Sequence, residues 1–248
     1  MDTLLDFDIN KQPDNTACGP TCLHAVYRYY NDSISLQEVI TGVSLMEEGG
    51  TLAVYLACHA LRRGYKTTIF PYNLQIFDPT WSAIPRKEIA ARLRRQLSFK
   101  KDMPGFELVT NAYLEYLELG GQLKFEVMTA SLIRRYLKKS IPILTGLSAT
   151  YLYDEAREYD TGSDFTYDDV RGESTGHFVV LTGYNRDDRS VSVADPLKKN
   201  PIASSRYYSV SIYRLVCAIM LGILSYDGNL LIIQTKKRKF DLSGGKSF

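Results

Sequence analysis

The first half of the chain places apolar residues at helical spacing. After Gly19 and Pro20 these residues recur three and four positions apart, and a proline suits the first helical turn because its missing N–H is not needed there. Ser35 and Glu38 stand at the spacing of a capping box, which predicts a second, short helix. Thr51 is placed to cap a third helix. We therefore expect several helices before any sheet is formed.

The second half of the chain favours strands. Residues 177–184 and 190–196 are two β-rich segments on either side of a polar turn, a pattern typical of an antiparallel hairpin. Helices followed by antiparallel strands predict an α+β fold. The expected helices are 21–30, 51–63, 85–101, 106–119, 130–139 (capped by Thr129) and 213–224, and the expected strands are 66–70, 123–127, 141–147, 177–184, 190–196 and 229–234.

Residues 148–176 differ from the rest because they show no periodicity. Eight acidic residues lie between Asp154 and Glu173. A loop of this length in a compact domain is usually a lid, a binding loop or a disordered segment. We expect a single domain over residues 1–248, with a helical insertion around 75–140 and a lid-like loop at 148–176.

Composition restricts the class of protein further. A chain of 248 residues with 45% apolar and 23% charged residues is an ordinary soluble globular protein, and its net charge of +2 gives no reason to expect nucleic acid or a membrane as partner. The longest apolar run, 215–224, is about half of what a bilayer span requires. The N-terminus lacks a basic signal region, and four scattered cysteines do not make a disulfide framework, so a cytoplasmic location is expected.

Cys18 is the candidate nucleophile. A cysteine attacks as thiolate, so it needs an environment that lowers its pKa and a base that manages the proton. Cys18 sits at the predicted helix start, where unpaired N–H groups carry partial positive charge. Cys22 lies further along the same helix and is expected to point into the core, as are Cys58 and Cys217.

His177 is the candidate base. His24 would face away from Cys18 on the helix, and His59 lies within another predicted helix. His177 opens an apolar strand, and the hairpin register brings it within a few residues of Asp195, which would orient its ring. Gln12 precedes Cys18 by six positions, so its amide can join the Cys18 backbone N–H in holding a developing oxyanion.

These motifs together resemble a known family. Gln12 followed after five residues by Cys-Gly-Pro, then Gly-His-Phe-Val-Val at 176–180 and Val-Ala-Asp-Pro at 193–196, are similar to the papain-like C39 and C39-like peptidases. The resemblance covers the first 30 residues and roughly 140–235. It implies a papain-like fold with N-terminal helices packed on a C-terminal antiparallel sheet. It also implies Cys18 as nucleophile, His177 as general base and acid, Asp195 as orienting residue and Gln12 as oxyanion donor.

Several functions share these residues. The first is a cysteine peptidase or amidase acting on a peptide or amide, which a partner protein could present. The second is an acyltransferase that passes the acyl group to an amine, and the third is a non-catalytic peptide-binding module. The spacings of Cys18, Cys22, Cys58 and His59 match no common zinc site, so no metal and no cofactor are expected. Unlike well-known C39 domains, the chain has neither membrane spans nor a nucleotide-binding motif.

Overall fold

A computed structural model describes residues 3–46, 49–162, 165–222 and 228–236. The helices are α1 (Cys18–Tyr29), α2 (Leu36–Gly42), α3 (Ala53–Arg62), α4 (Arg86–Lys100), α5 (Phe106–Glu118), α6 (Ala130–Leu137), α7 (Ala149–Tyr153) and α8 (Ile212–Leu221), with a short 3₁₀ helix at Pro79–Ala83. The strands are β1 (Thr3–Leu4), β2 (Lys66–Pro71), β3 (Gln122–Leu123), β4 (Ile143–Ser148), β5 (Glu158–Asp160), β6 (Phe165–Tyr167), β7 (Gly176–Asn185), β8 (Ser190–Ala194), β9 (Tyr207–Ser211) and β10 (Asn229–Gln234).

One main sheet organises the described part of the chain. Its strand order is β3-β2-β10-β4-β7-β8-β9, and β1 pairs with β7. All of its pairings are antiparallel except that of β2 with β3. Strands β2, β4, β7 and β10 are buried at nearly every position, so their sequences do not alternate between apolar and polar residues. The mixed α+β architecture predicted from the sequence is confirmed.

The helices pack against this sheet. Helix α1 lies on β7, α3 on β2 and β10, α6 on β7 and β4, and α8 on β4, while α4 packs on α5 and α5 on α3. The helix that carries the N-terminal cysteines is thereby held against the strand that begins with Gly176 and His177. Within the described ranges, no helix combines the length and the apolar character needed to cross a membrane.

Local sequence signals explain several element boundaries. The Ser35 side chain accepts from the Glu38 backbone N–H, and Glu38 reaches back to the Ser35 N–H, so the predicted capping box is confirmed. Thr129 caps α6 as predicted. The prediction for Thr51 was wrong: its hydroxyl donates to the carbonyl of Ser44, and α3 begins after Leu52 without a side-chain cap.

Three other expectations need correction. Residues 149–167 were expected to be loop but contain α7 and a small two-stranded sheet of β5 and β6, whose three-residue strands are too short to show a period. Strand β3 is Gln122–Leu123, so of the expected strand 123–127 only Leu123 is in a strand. Cys217 is exposed, because the buried stripe of α8 passes through Ile212, Leu215, Ala218 and Ile219 and leaves position 217 outside it. The predicted helix end at 223–224 lies outside the described residues.

Candidate active site

Cys18 is the first residue of α1, at the end of the helix that meets β7. The Cys18 side chain is buried at 9% relative exposure, and its thiol lies close enough to His177 to help raise the pKa of that imidazole. As the first helical residue, Cys18 has a backbone N–H without an intrahelical partner. The site therefore combines a thiol, an adjacent imidazole and a backbone donor at one helix terminus.

His177 and Asp195 come together through the hairpin. His177 is the second residue of β7, and Asp195 directly follows β8, with Val180 paired to Ala194 and a register shift between Leu181 and Gly183. Nε2 of His177 donates to Oδ1 of Asp195 at 2.8 Å. This bond leaves Nδ1 as the ring nitrogen that can exchange a proton with the Cys18 thiol.

The electrostatics of this pair favour its charged form. Burial alone would lower the pKa of His177, but the negative charge of Asp195, its hydrogen bond and the contact with Cys18 outweigh burial and raise the His177 pKa to about 10. Burial would raise the pKa of Asp195, but the charge of His177 and the hydrogen bonds to the carboxylate lower it to about 2. The pair is thus an imidazolium held by a carboxylate over the neutral pH range.

Asp195 receives further donors that the sequence gave no reason to expect. Tyr153 and Tyr208 each donate a hydroxyl to Oδ2 at 2.7 Å, and Nδ2 of Asn200 donates to the same oxygen at 3.0 Å. The backbone N–H of Leu197 donates to Oδ1 at 2.9 Å. Asp195 itself has no solvent exposure. Tyr153 belonged to the tyrosines of the expected lid, whereas no pattern pointed to Tyr208 or Asn200.

Gln12 lies beside this group. Its side chain is buried at 3% exposure, and its backbone N–H donates to the carbonyl of Pro196, immediately after Asp195. Nε2 of Gln12 donates to the carbonyl of Asp14 at 2.8 Å, so one amide hydrogen is engaged and the second remains for another acceptor. Oε1 is buried and has no hydrogen-bond partner among the described residues.

A cleft of about 490 Å³ opens next to these groups. Gln12, His177 and Tyr153 line it at the end next to Asp195. Further out, the β5–β6 sheet and the segment that follows Asp195 form its walls, with acidic, aromatic and basic side chains. These outer residues are Glu155, Glu158, Phe165, Tyr167, Lys198 and Lys199.

The remaining cysteines and histidines lie elsewhere. Cys22 is fully buried, its thiol donates to the carbonyl of Phe178, and burial raises its pKa well above the ordinary value. Cys58 is buried with its pKa raised to about 12, also by burial. His59 shares a hydrogen bond with the hydroxyl of Tyr27. Cys22 and Cys58 are core cysteines as predicted, and the described residues contain no group of three or more His, Cys, Asp or Glu side chains suited to a metal ion.

Comparison with known proteins confirms the family resemblance. Residues 99–214, a little under half of the chain, match the model of the Peptidase_C39 like family. The matched segment includes His177 and Asp195, together with α5 and α6, which the sequence motifs had not covered. Gln12 and Cys18 lie before it.

Among solved structures, the chain is similar to a double glycine motif protease from an AMS/PCAT transporter, crystallised with the leader peptide. That similarity has a TM-score of 0.44 at 13% identity and covers 94% of this chain and 95% of that one. No curated protein sequence matches the chain significantly.

Proposed function

We propose that this protein is a cysteine peptidase or amidase in which Cys18 attacks a peptide or amide carbonyl. The observation that carries the proposal is the contact of the Cys18 thiol, at a helix N-terminus, with an imidazole that a buried carboxylate holds in its charged form. The match of the segment containing His177 and Asp195 to a peptidase family agrees with it.

The proposed reaction has two halves. The Cys18 thiolate forms a bond to the substrate carbonyl carbon, and the negative charge that develops on the oxygen is held by the Cys18 backbone N–H and the second amide hydrogen of Gln12. His177 then gives its proton to the leaving amine, leaving an acyl-enzyme. In the second half His177 takes a proton from water, the hydroxide adds to the acyl carbon, and the acid product leaves as the thiolate re-forms. Asp195 orients the ring throughout.

The cleft supports a peptide or amide as substrate, because it leads from the surface to Gln12 and His177 and offers both apolar and charged walls. A peptide segment presented by a partner protein would enter by the same route. All four cysteines are free thiols, which is typical of a reducing compartment, and we place the proposed activity in the cytoplasm.

The first test needs no known substrate. Iodoacetamide labelling of the folded protein at pH 5 to 6, followed by peptide mass spectrometry, is expected to modify Cys18 in preference to the exposed Cys217. Preferential labelling of Cys217 at these pH values would contradict the proposal.

The second test follows product formation. A peptide library incubated with the protein should yield cleaved products that disappear in Cys18→Ser, while Cys217→Ser serves as the matched control. With an added amine, products that carry the amine would indicate acyl transfer instead of hydrolysis. Turnover that survives in Cys18→Ser would refute the nucleophile assignment, and acid-range labelling without any turnover would favour a binding module.

A further inference from the structure

The carboxylate of Asp195 is enclosed by hydrogen-bond donors beyond the one that the proposed mechanism requires. Oδ1 receives Nε2 of His177 and the backbone N–H of Leu197. Oδ2 receives both tyrosine hydroxyls and the amide of Asn200. The two tyrosines come from different parts of the fold, Tyr153 from the end of α7 and Tyr208 from β9.

We propose that Tyr153 and Tyr208 are positioning residues for the proposed catalytic pair, fixing the plane of the Asp195 carboxylate so that its other oxygen faces His177, and keeping that carboxylate charged. This inference rests on the proposed function of Cys18 and His177. Neither tyrosine is assigned a chemical step, and both act through Asp195.

The donor arrangement explains how the orientation is maintained. A carboxylate is symmetrical about its terminal torsion, so a half-turn exchanges two equivalent oxygens and changes nothing. What the surrounding donors fix is the plane of the carboxylate. Here two hydroxyls approach Oδ2 from separate elements while a ring nitrogen and a backbone N–H approach Oδ1. Bonds from hydroxyl donors to an ionised oxygen are stronger than neutral ones, so the four donors together hold one plane of the carboxylate.

Both tyrosines remain donors over the working pH range. Burial, followed by the negative charge of Asp195, raises the pKa of Tyr153 and of Tyr208 far above the ordinary value, so the hydroxyls stay protonated. The two hydroxyls therefore stabilise the negative charge of the Asp195 carboxylate, which solvent does not reach. Without these two hydroxyl donors, a larger fraction of Asp195 would be the neutral carboxylic acid. The His177 imidazolium would then lose its negatively charged partner.

Tyr153 lies between the cleft and the His177–Asp195 pair. Its ring centroid lies 6.2 Å from that of His177, and the residue lines the cleft. Other titratable groups also affect the pair. Cys18 and Cys22 of α1 and Glu158 of β5 contribute electrostatically to His177 or Asp195. A test must therefore separate the tyrosines from these groups, which phenylalanine substitutions do because they leave every other charge in place.

The test measures the pH at which the Cys18 thiol becomes reactive. Tyr153→Phe, Tyr208→Phe and the double variant are alkylated with iodoacetamide from pH 4 to pH 10, and the extent at Cys18 is read by peptide mass spectrometry. Tyr151→Phe and Tyr207→Phe are matched controls from the same helix and the same strand. The Tyr207 hydroxyl also donates to a carboxylate, that of exposed Asp8, and not to Asp195.

In the double variant we expect the acid inflection of Cys18 labelling to move to higher pH by about one unit, a ten-fold change in the ionisation equilibrium. Each single variant should move it in the same direction by less, and both controls should match the wild type. The single variants carry the same prediction if the double variant folds poorly, which thermal unfolding would reveal.

The outcomes separate this inference from the proposed function. Acid-range labelling of Cys18 that is present in the wild type and unmoved in the variants would overturn the role of the tyrosines alone. Absence of acid-range labelling in the wild type would overturn the proposed function and this inference with it. An equal shift in the controls would show a general effect of losing a hydroxyl, and would also overturn the inference.

Discussion

Replacing Gly19 by alanine would place a methyl group in a space that three side chains already occupy. A Cβ at this position would lie 2.5 Å from Cγ2 of Thr51, 3.2 Å from Cδ2 of Phe178 and 3.3 Å from Cδ1 of Leu56. The first distance is far inside van der Waals contact. The Thr51 side chain cannot turn away freely, because its hydroxyl donates to the carbonyl of Ser44 at 2.8 Å.

The magnitude follows from two opposing effects. Alanine favours a helix over glycine by about 0.5–1 kcal/mol. Overpacking of a filled core costs about 1–3 kcal/mol. The contact with Thr51 is too close to be relieved by small shifts, so we expect Gly19→Ala to lower the free energy of unfolding by about 1–2 kcal/mol.

A double-mutant cycle isolates the cause. Thr51→Ser removes Cγ2 but keeps the hydroxyl and its bond to Ser44, so it creates room for the new methyl group of Gly19→Ala. In that background, Gly19→Ala should be close to neutral, and the coupling energy should be about 1–2 kcal/mol by urea unfolding. An equal cost of Gly19→Ala in both backgrounds would refute the argument.

The same cycle has a functional readout. Gly19 lies between Cys18 and Pro20, and Phe178 follows His177, so a methyl group at position 19 that pushes against Phe178 would move the helix away from the strand at the site. We expect acid-range alkylation of Cys18 to be weaker in Gly19→Ala and to recover in the double variant. Recovery of stability without recovery of alkylation would show that Gly19 has no influence on the position of the thiol.

Other outcomes follow from the same geometry. Asp195→Asn removes the charge and the hydrogen bond that hold His177 as an imidazolium, so alkylation of the Cys18 thiol at pH 6 should slow by about ten-fold or more, measured against the exposed Cys217. Because Asp195 raises the pKa of His177 to about 10 while burial, with nearby arginines, lowers those of His24 and His59, an NMR titration should find one imidazole still charged at pH 8 and two that lose their charge below pH 6.5. Ser35→Ala should reduce the free energy of unfolding by about 1 kcal/mol in urea, since it removes a capping box.

Signals that act over a few residues predicted much of the secondary structure. The capping box at Ser35, the cap at Thr129 and the polar turn between β7 and β8 all depend on bonds between near neighbours, and each is found as predicted. Thr51 shows where such reasoning fails. Its hydroxyl had two acceptable partners, and packing of the preceding loop, which no local pattern encodes, selected the carbonyl of Ser44.

Exposure was harder to predict than helix or strand. Cys217 lies in an apolar helical segment, but α8 is covered on one side only, so an apolar residue outside the buried stripe reaches the solvent. The segment 149–167 was unpredictable for another reason. Its strands β5 and β6 form a separate two-stranded sheet, and their three residues each are too few to display a period.

The sequence by itself indicated a helix start at Gly19 and Pro20, next to Cys18, and the hairpin that carries His177 close to Asp195, because each depends on groups within about twenty positions. Only the tertiary structure decided that the thiol meets this imidazole, since that contact requires α1 to pack on β7 across the whole sheet. The same holds for the hydroxyls of Tyr153 and Tyr208 on Asp195. A buried carboxylate is hydrogen-bonded by whichever donors the packed elements place around it. The spacing of residues along the chain does not predict which residues those are.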